Sequence, residues 1–240
     1  MNAITQSWPV LGQSTPPRIG GKRPRLFRGL TGPQMTMVRQ AFTEELYRDG
    51  DPVPRGEPIV GIVLRGALRE DITDADGVSR LFGLTFVGEV ISPVGPRTAA
   101  SRLSALGDTT MLFCEAEAFT ALLDEIPRLR MNYLDALQDR LAEARRWQVV
   151  LGRKTATERV ASMLYCFWER QGRPREMSLG LRRAEIGQLL CLTFETVSRQ
   201  VKALEQAGAI ELPQPSCVQV RDPQYLYTAS GEAAVLRRAA

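Results

Sequence analysis

The apolar positions of this chain change their period along its length, and the changes divide it into parts. Between residues 59 and 113 they fall in short runs: Ile59–Leu64, Gly66–Ile72, Val78–Phe86, Glu89–Ile91 and Leu103–Phe113. Runs this short, broken by glycine and aspartate, predict strands of a small antiparallel barrel or roll. Asp74-Ala75-Asp76-Gly77, between two of them, predicts a hairpin turn. A short helix is expected ahead of them, over about 34–46. From residue 127 the period becomes helical. PRLRMNYLDALQDRLAEARRWQVVL predicts a long helix over 127–151, with Pro127 suited to its first turn. A second amphipathic helix is expected over Thr155–Gln171, with Val160, Met163, Leu164, Phe167 and Trp168 inward. Gly172-Arg173-Pro174 ends it. Residues 182–212 hold two short helical patterns across a tight turn. Ile186, Leu189 and Leu190 share a face of the first, and Val197, Val201 and Leu204 a face of the second. Cys191-Leu192-Thr193 makes the turn, and Thr193 is a good N-cap for the second helix. Glu211 to Val220 reads as two strands about a Pro-Gln-Pro-Ser turn, the wing of a winged helix.

The polar face of the helix after Thr193 carries Glu195, Ser198, Arg199 and Lys202. A helix-turn-helix lays its second helix in the DNA major groove, with the N-terminal residues at the base edges. Arginine pairs bidentately with guanine, and a carboxylate accepts from the cytosine amino group. An ordinary helical hairpin with a solvated charged face gives the same periodicity, so the pattern alone leaves both readings open.

The residues themselves shift that balance. LTFETVSRQVKALEQAG resembles the recognition helix of the CRP/FNR superfamily of bacterial transcription regulators, and its E-T-V-S-R string is typical of the FNR and FixK-like branches. The stretch from Gly152 to Ala161 (GRKTATERVA) is similar to the segment leading into the DNA-binding domain of FixK-like regulators. The resemblance runs from about residue 30 and is stronger after 150. It implies an α+β chain. The expected parts are a basic, disordered tail (1–30), an antiparallel β-roll of the cyclic-nucleotide-binding type (31–126), a dimerisation helix (127–152) and a winged helix-turn-helix (153–240). It further implies an activator that binds double-stranded DNA and contacts RNA polymerase. Glu195, Ser198 and Arg199 would contact bases of a TTGA-like half-site, and Thr193, Lys202 and Arg182 the DNA backbone. On the long helix, Leu134, Leu137, Leu141, Ala144, Gln148 and Leu151 follow a near-heptad spacing, with Gln148 in an otherwise apolar row. A lone helix covering the β-roll would also place them so. A homodimer seam is favoured, because two recognition helices one DNA turn apart read a palindrome. The wing is expected to be structural, since Pro213 and Pro215 leave few donors for phosphate.

Charge and composition narrow the picture. The net charge of +4 is unevenly spread. Arg18, Lys22, Arg23, Arg25 and Arg28 stand in the first 30 residues with no acid among them. Residues 31–152 hold 13 basic and 18 acidic side chains, and residues 153–240 hold 13 and 9. The basic end coincides with the helix-turn-helix, as an electrostatic footprint for DNA should. No apolar run approaches the ~20 residues of a membrane helix, and no leader pattern opens the chain, so a cytoplasmic protein without membrane association is expected. The chain has no histidine. That weighs against a cupin-like enzyme, which generally needs histidine metal ligands, and no catalytic or metal site is expected. Cys114, Cys166, Cys191 and Cys217 are widely spaced, without a CxxC pair.

The signal that such a regulator answers is harder to read. Gly88-Glu89-Val90 matches the first half of the cyclic-nucleotide cassette. Arg97-Thr98-Ala99 lies two residues too early for the second half, and Ser101-Arg102-Leu103 puts no arginine where the phosphate would need it. Function without cyclic nucleotide or other cofactor is therefore expected, with a nucleotide-dependent regulator of the same fold as the alternative. Cys114 matches at most one of the four cysteines of an FNR-type iron–sulfur cluster, and one thiolate cannot hold it. Cys191 occupies a turn position usually held by glycine, beside the DNA face, and is a candidate redox switch.

Overall fold

The computed structural model describes residues 4–7, 24–53, 59–91, 101–214 and 216–232. The chain forms two compact units, residues 1–141 and 142–240, with the division inside its longest helix. The helix expected over 127–152 thus contributes residues to both units.

The first unit is built on an antiparallel sheet. Its strands are β1 (Ile4–Ser7), β2 (Thr43–Tyr47), β3 (Ile59–Thr73), β4 (Ser79–Phe86), β5 (Val90–Ile91) and β6 (Ser101–Glu115), in the order β1-β2-β6-β3-β4, with β5 also on β3. The two expected runs Ile59–Leu64 and Gly66–Ile72 are one strand. β3 passes through register shifts at Val63/Arg65 and Arg65/Ala67 rather than breaking. Gly66 makes this fit possible: its φ is +79°, and a Cβ there would stand 2.5 Å from Thr109 Oγ1. Alternation along β3 and β6 sends side chains to two cores. Val63, Leu68, Met111 and Phe113 fill the interior of the roll with Tyr47 and Val53. Val60, Ile62, Leu112 and Cys114 face the helices. Burial on both faces explains the nearly unbroken apolar run of Ile59–Leu64. The expected hairpin is present: Asp74 Oδ1 accepts from the backbone N–H of Asp76 and Val78, and Gly77 takes a φ of +77°.

The helices of this unit are α1 (Gly32–Ala41), α2 (Ala116–Glu125) and the first part of α3 (Pro127–Arg153). The helix expected over 34–46 stops at Ala41, because Phe42 is extended and Thr43–Tyr47 pairs with β6 as a strand. The expectation of a tail over residues 1–30 is corrected in two places. Ile4–Ser7 pairs with β2 as a strand. Leu26 and Phe27, in a 3-10 turn (Arg25–Phe27), are 1% and 0% exposed and belong to the core with Leu30. Asn132 Nδ2 of α3 donates to the carbonyls of Leu26 and Arg28 at 2.9 and 2.8 Å, which ties the segment down. Edge-to-face ring contacts link Phe27, Phe42, Phe119 and Tyr133 from one element to the next.

The second unit holds the remainder of α3, then α4 (Ala156–Arg170), β7 (Met177–Ser178), α5 (Arg183–Leu190), α6 (Phe194–Gln206), β8 (Ile210–Gln214), β9 (Cys217–Val220) and α7 (Pro223–Ala229). The three strands lie in the order β7-β9-β8. The two strands expected over Glu211–Val220 are present as β8 and β9, β7 adds a third beside β9, and Pro215 lies outside the described residues. Thr155 opens α4 with a capping box: its hydroxyl accepts from Glu158 N–H, and the Glu158 carboxylate accepts from Thr155 N–H. Val160, Met163, Leu164 and Phe167 are buried as expected, whereas Trp168 is half-buried. The end of α3 is held against its own unit by charge. Glu143 accepts from Arg170 at 3.1 Å and Trp147 Nε1 at 2.9 Å. Lys154 Nζ, buried, donates to Glu232 at 2.7 Å and Ser162 at 2.9 Å.

Candidate nucleic-acid interface

α5 and α6 form a helix-turn-helix whose tightness has a definite cause. Gly187, inside α5, lies under the turn: a Cβ on it would stand 2.6 Å from the carbonyl oxygen of Leu192. Cys191, the C-cap of α5, takes the left-handed conformation with φ 53° and ψ 48°. Backbone N–H groups of Cys191 and Leu192 donate to the carbonyls of Gln188 and Gly187, closing the helix end. The sequence marked Cys191 as standing where glycine is usual, and assigned Gly187 no role; a glycine inside a short helix was the available signal.

α6 is capped by Thr193, whose Oγ1 accepts from Thr196 N–H at 3.2 Å. Val197, Val201 and Leu204 are at most 2% exposed and anchor the helix. On the other side Glu195, Arg199 and Lys202 are exposed and Ser198 is half-buried. They stand at i, i+3, i+4 and i+7, so the candidate base-contacting residues Glu195, Ser198 and Arg199 share one continuous face with the candidate phosphate contact Lys202. A hydrogen bond from its own backbone N–H, followed by one from Thr193, holds the Glu195 carboxyl below the usual carboxylate range. It is therefore an ionised acceptor at neutral pH. Phe194, unassigned from sequence, is 54% exposed beside it. Arg182 is the N-cap of α5, with an exposed side chain that reaches Glu185 Oε2 at 3.3 Å. Two side chains of α4 hold this motif: Thr157 Oγ1 donates to Gln200 Oε1 of α6 at 2.7 Å, and Arg159 donates to the Leu190 carbonyl of α5 at 3.1 Å.

The other candidate residues lie elsewhere. On α3, Leu134 and Leu141 are 45% and 52% exposed, Ala144 and Gln148 are exposed, and Leu137 and Leu151 are half-buried. Leu137 also packs against the helix-side core of the first unit. In the cassette region, Glu89 closes a turn by accepting from Phe86 N–H at 3.0 Å, and Arg102 is exposed on β6. Arg97 lies outside the described residues. Cys114 is buried in the first unit, while Cys166, Cys191 and Cys217 lie in the second. Among the described residues no group of three or more cysteine or acidic side chains is placed to hold a metal ion, so these residues do not fit an FNR-type cluster. Among the described residues no helix is long and apolar enough to cross a membrane.

A β-roll followed by a long helix and a winged helix-turn-helix with a polar, basic recognition face defines a DNA-binding transcription regulator. Residues 158–229 match the family model of the Crp-like helix-turn-helix domain. The chain is 32% identical to the transcriptional activator protein FnrL of Cereibacter sphaeroides over 181 residues, 72% of this chain and 73% of that one. It is 32% identical to the transcriptional activator protein anr of Pseudomonas aeruginosa, across 70% and 69% of the two chains. Its fold is similar to that of FixK2 from Bradyrhizobium japonicum, with a TM-score of 0.69 and 26% identity over 78% of this chain and 96% of that one. The chain belongs to the CRP/FNR family, within its FixK/FNR-like branch.

Proposed function

We propose that this regulator is a cytoplasmic transcriptional activator that binds a two-fold DNA site as a homodimer and requires no cyclic nucleotide. The observation that carries the reading is the continuous polar row of exposed Glu195, Arg199 and Lys202 with half-buried Ser198, on a helix anchored by Val197, Val201 and Leu204. In the major groove Arg199 suits a guanine and Glu195 a cytosine amino group, with Ser198 between them. Phe194 adds an apolar surface suited to a thymine methyl. Thr193, Lys202 and Arg182 stand at the margins, where phosphate contacts fix register. The seam of Leu134, Leu137, Leu141, Ala144, Gln148 and Leu151 brings two such helices together, and its exposed leucines support pairing with a second copy. The FnrL and anr relatives are named transcriptional activators, and an activator of this kind would act by contacting RNA polymerase. Independence from cyclic nucleotide is supported by Glu89, engaged in its own turn, and by Arg102, exposed beside the inward Leu103.

Selection of bound duplexes from a random pool tests this. The expected result is a palindrome with TTGA-like halves, bound without added nucleotide. Arg199→Ala should cost about 1–3 kcal/mol and relax one base pair, while Lys202→Ala should weaken all sequences alike and reduce the salt slope by about one. An unchanged motif in Arg199→Ala would remove α6 from base reading. Calorimetric micromolar binding of cyclic AMP or cyclic GMP would replace the second half of the reading.

A further inference from the structure

The first turn of α4 touches both helices of the motif from residues two apart. Thr157 reaches Gln200 on α6, and Arg159 Nη1 reaches the last carbonyl of α5, that of Leu190. Arg159 also donates from Nε to the Lys154 carbonyl at 3.0 Å, in the link between α3 and α4. One rigid, planar guanidinium therefore caps the link and the end of α5 at once. Leu190 immediately precedes the left-handed Cys191, so its carbonyl sits where the helix-turn-helix bends. The bond is one of a positive charge to a helix C-terminus, where the peptide dipoles favour a cation. Within this unit, Arg159 fixes where the turn stands relative to the incoming helix, and Thr157 fixes how α6 is rotated.

We infer that Arg159, with Thr157 as its second arm, is a positioning residue for sequence-specific DNA reading. It sets the presentation of α6 and touches no base. The inference rests on the proposed reading of α6 as the base-reading helix. A loosened clamp lets α6 sample several poses, which lowers discrimination at every base pair of the half-site together. A lost base contact lowers it at one. Lysine can replace arginine only in part here, since a single ammonium lacks the fixed fork geometry that serves two carbonyls at once.

Random-pool selection and anisotropy titrations on the selected and a scrambled duplex test this with Arg159→Gln, Arg159→Lys, Thr157→Val and Arg199→Ala. Circular dichroism and stoichiometric DNA titration restrict the comparison to folded protein. Arg159→Gln should lose specific affinity roughly tenfold or more, as expected for hydrogen bonds to a charged donor. Scrambled-DNA affinity and salt slope should stay within about twofold of the parent. Its selected motif should keep the parent's consensus with flattened preference throughout. Arg159→Lys should fall between, and Thr157→Val, which keeps the side chain's shape, should lose roughly threefold. If Arg159→Gln proves unfolded, the lysine and valine variants carry the test. An unchanged ratio of specific to scrambled affinity in the folded variants overturns the inference, as does relaxation confined to one base pair. If the parent itself selects no motif, the reading of α6 fails instead, and the two failures are distinguished by that control.

Discussion

Gly187 and Cys191 show how closely the recognition turn depends on single residues. Gly187 has no room for a Cβ, because the Leu192 carbonyl would lie 2.6 Å from it and neither backbone can yield cheaply. Gly187→Ala should destabilise the second unit by about 1–3 kcal/mol in urea unfolding, the usual cost of overpacking. Cys191 carries its strain in its backbone, at φ 53°, and its thiol is exposed. Burial pushes the thiols of Cys114 and Cys166 up to about 12, with Glu115 adding to the first and Glu143 to the second. Those two stay protonated and shielded, so peroxide should act first on Cys191, with Cys217, bonded to Glu176, behind it. We expect peroxide to weaken DNA binding by placing acidic oxygens beside phosphate, and a thiol reductant to restore it from the sulfenic stage. Cys191→Ser should bind normally and ignore peroxide. A serine variant that is still inactivated would move the chemistry to another thiol or a methionine.

At the scale of elements, what was legible came from local signals. The amphipathic helix expected from Thr155, the Asp74–Gly77 hairpin and the anchored face of α6 are written in neighbouring residues, and all three are present. Several elements left no such mark, β1 among them. α2 follows β6 without a turn residue, and its N-cap Glu115 makes no side-chain capping bond. β2 reads Thr-Glu-Glu-Leu-Tyr, a sequence with helix formers that becomes a strand only because β6 and β1 flank it. β7 has two residues, and α7 is too short to show a period. The proposed base-reading row was legible because helical spacing groups it. The hold of Arg159 on Leu190 was not, because 31 residues separate them. Lys154 and Glu232, 78 residues apart, are another such pair, and they carry a pH signature. Burial would push the Glu232 carboxyl up, but Lys154 and Arg146 outweigh it and hold the group below its usual value of 4.5. Its contribution is therefore present above about pH 4.5 and is lost as the pH falls below that. Glu232→Gln leaves buried Lys154 without its counter-charge and should cost about 2 kcal/mol or more at neutral pH, short of the roughly 3–5 of a fully buried pair. The gap between parent and variant should narrow in urea titrations as the pH is taken progressively below the usual carboxylate range, and a gap independent of pH would remove the pair from the stability of this unit.

For the whole molecule the question is whether two copies act together, and α3 offers a clean way to ask. A charge placed in an apolar seam is expensive when it has no partner. Leu137 is the poorer probe, because it packs on the core of the first unit, so a glutamate there would damage the fold as well as any interface. Leu141, 52% exposed in the single chain, loses little within the protomer. Leu141→Glu should therefore unfold at nearly the parent's temperature yet run as a monomer in light scattering. Operator affinity should fall steeply, since one half-site must then be held without its mate, while binding to an isolated half-site should be unchanged. Those two DNA measurements separate loss of pairing from damage to α6. A Leu141→Glu protein that stays dimeric would place the seam on another face of α3, and one that is monomeric yet binds the full site undiminished would make the dimer irrelevant to recognition.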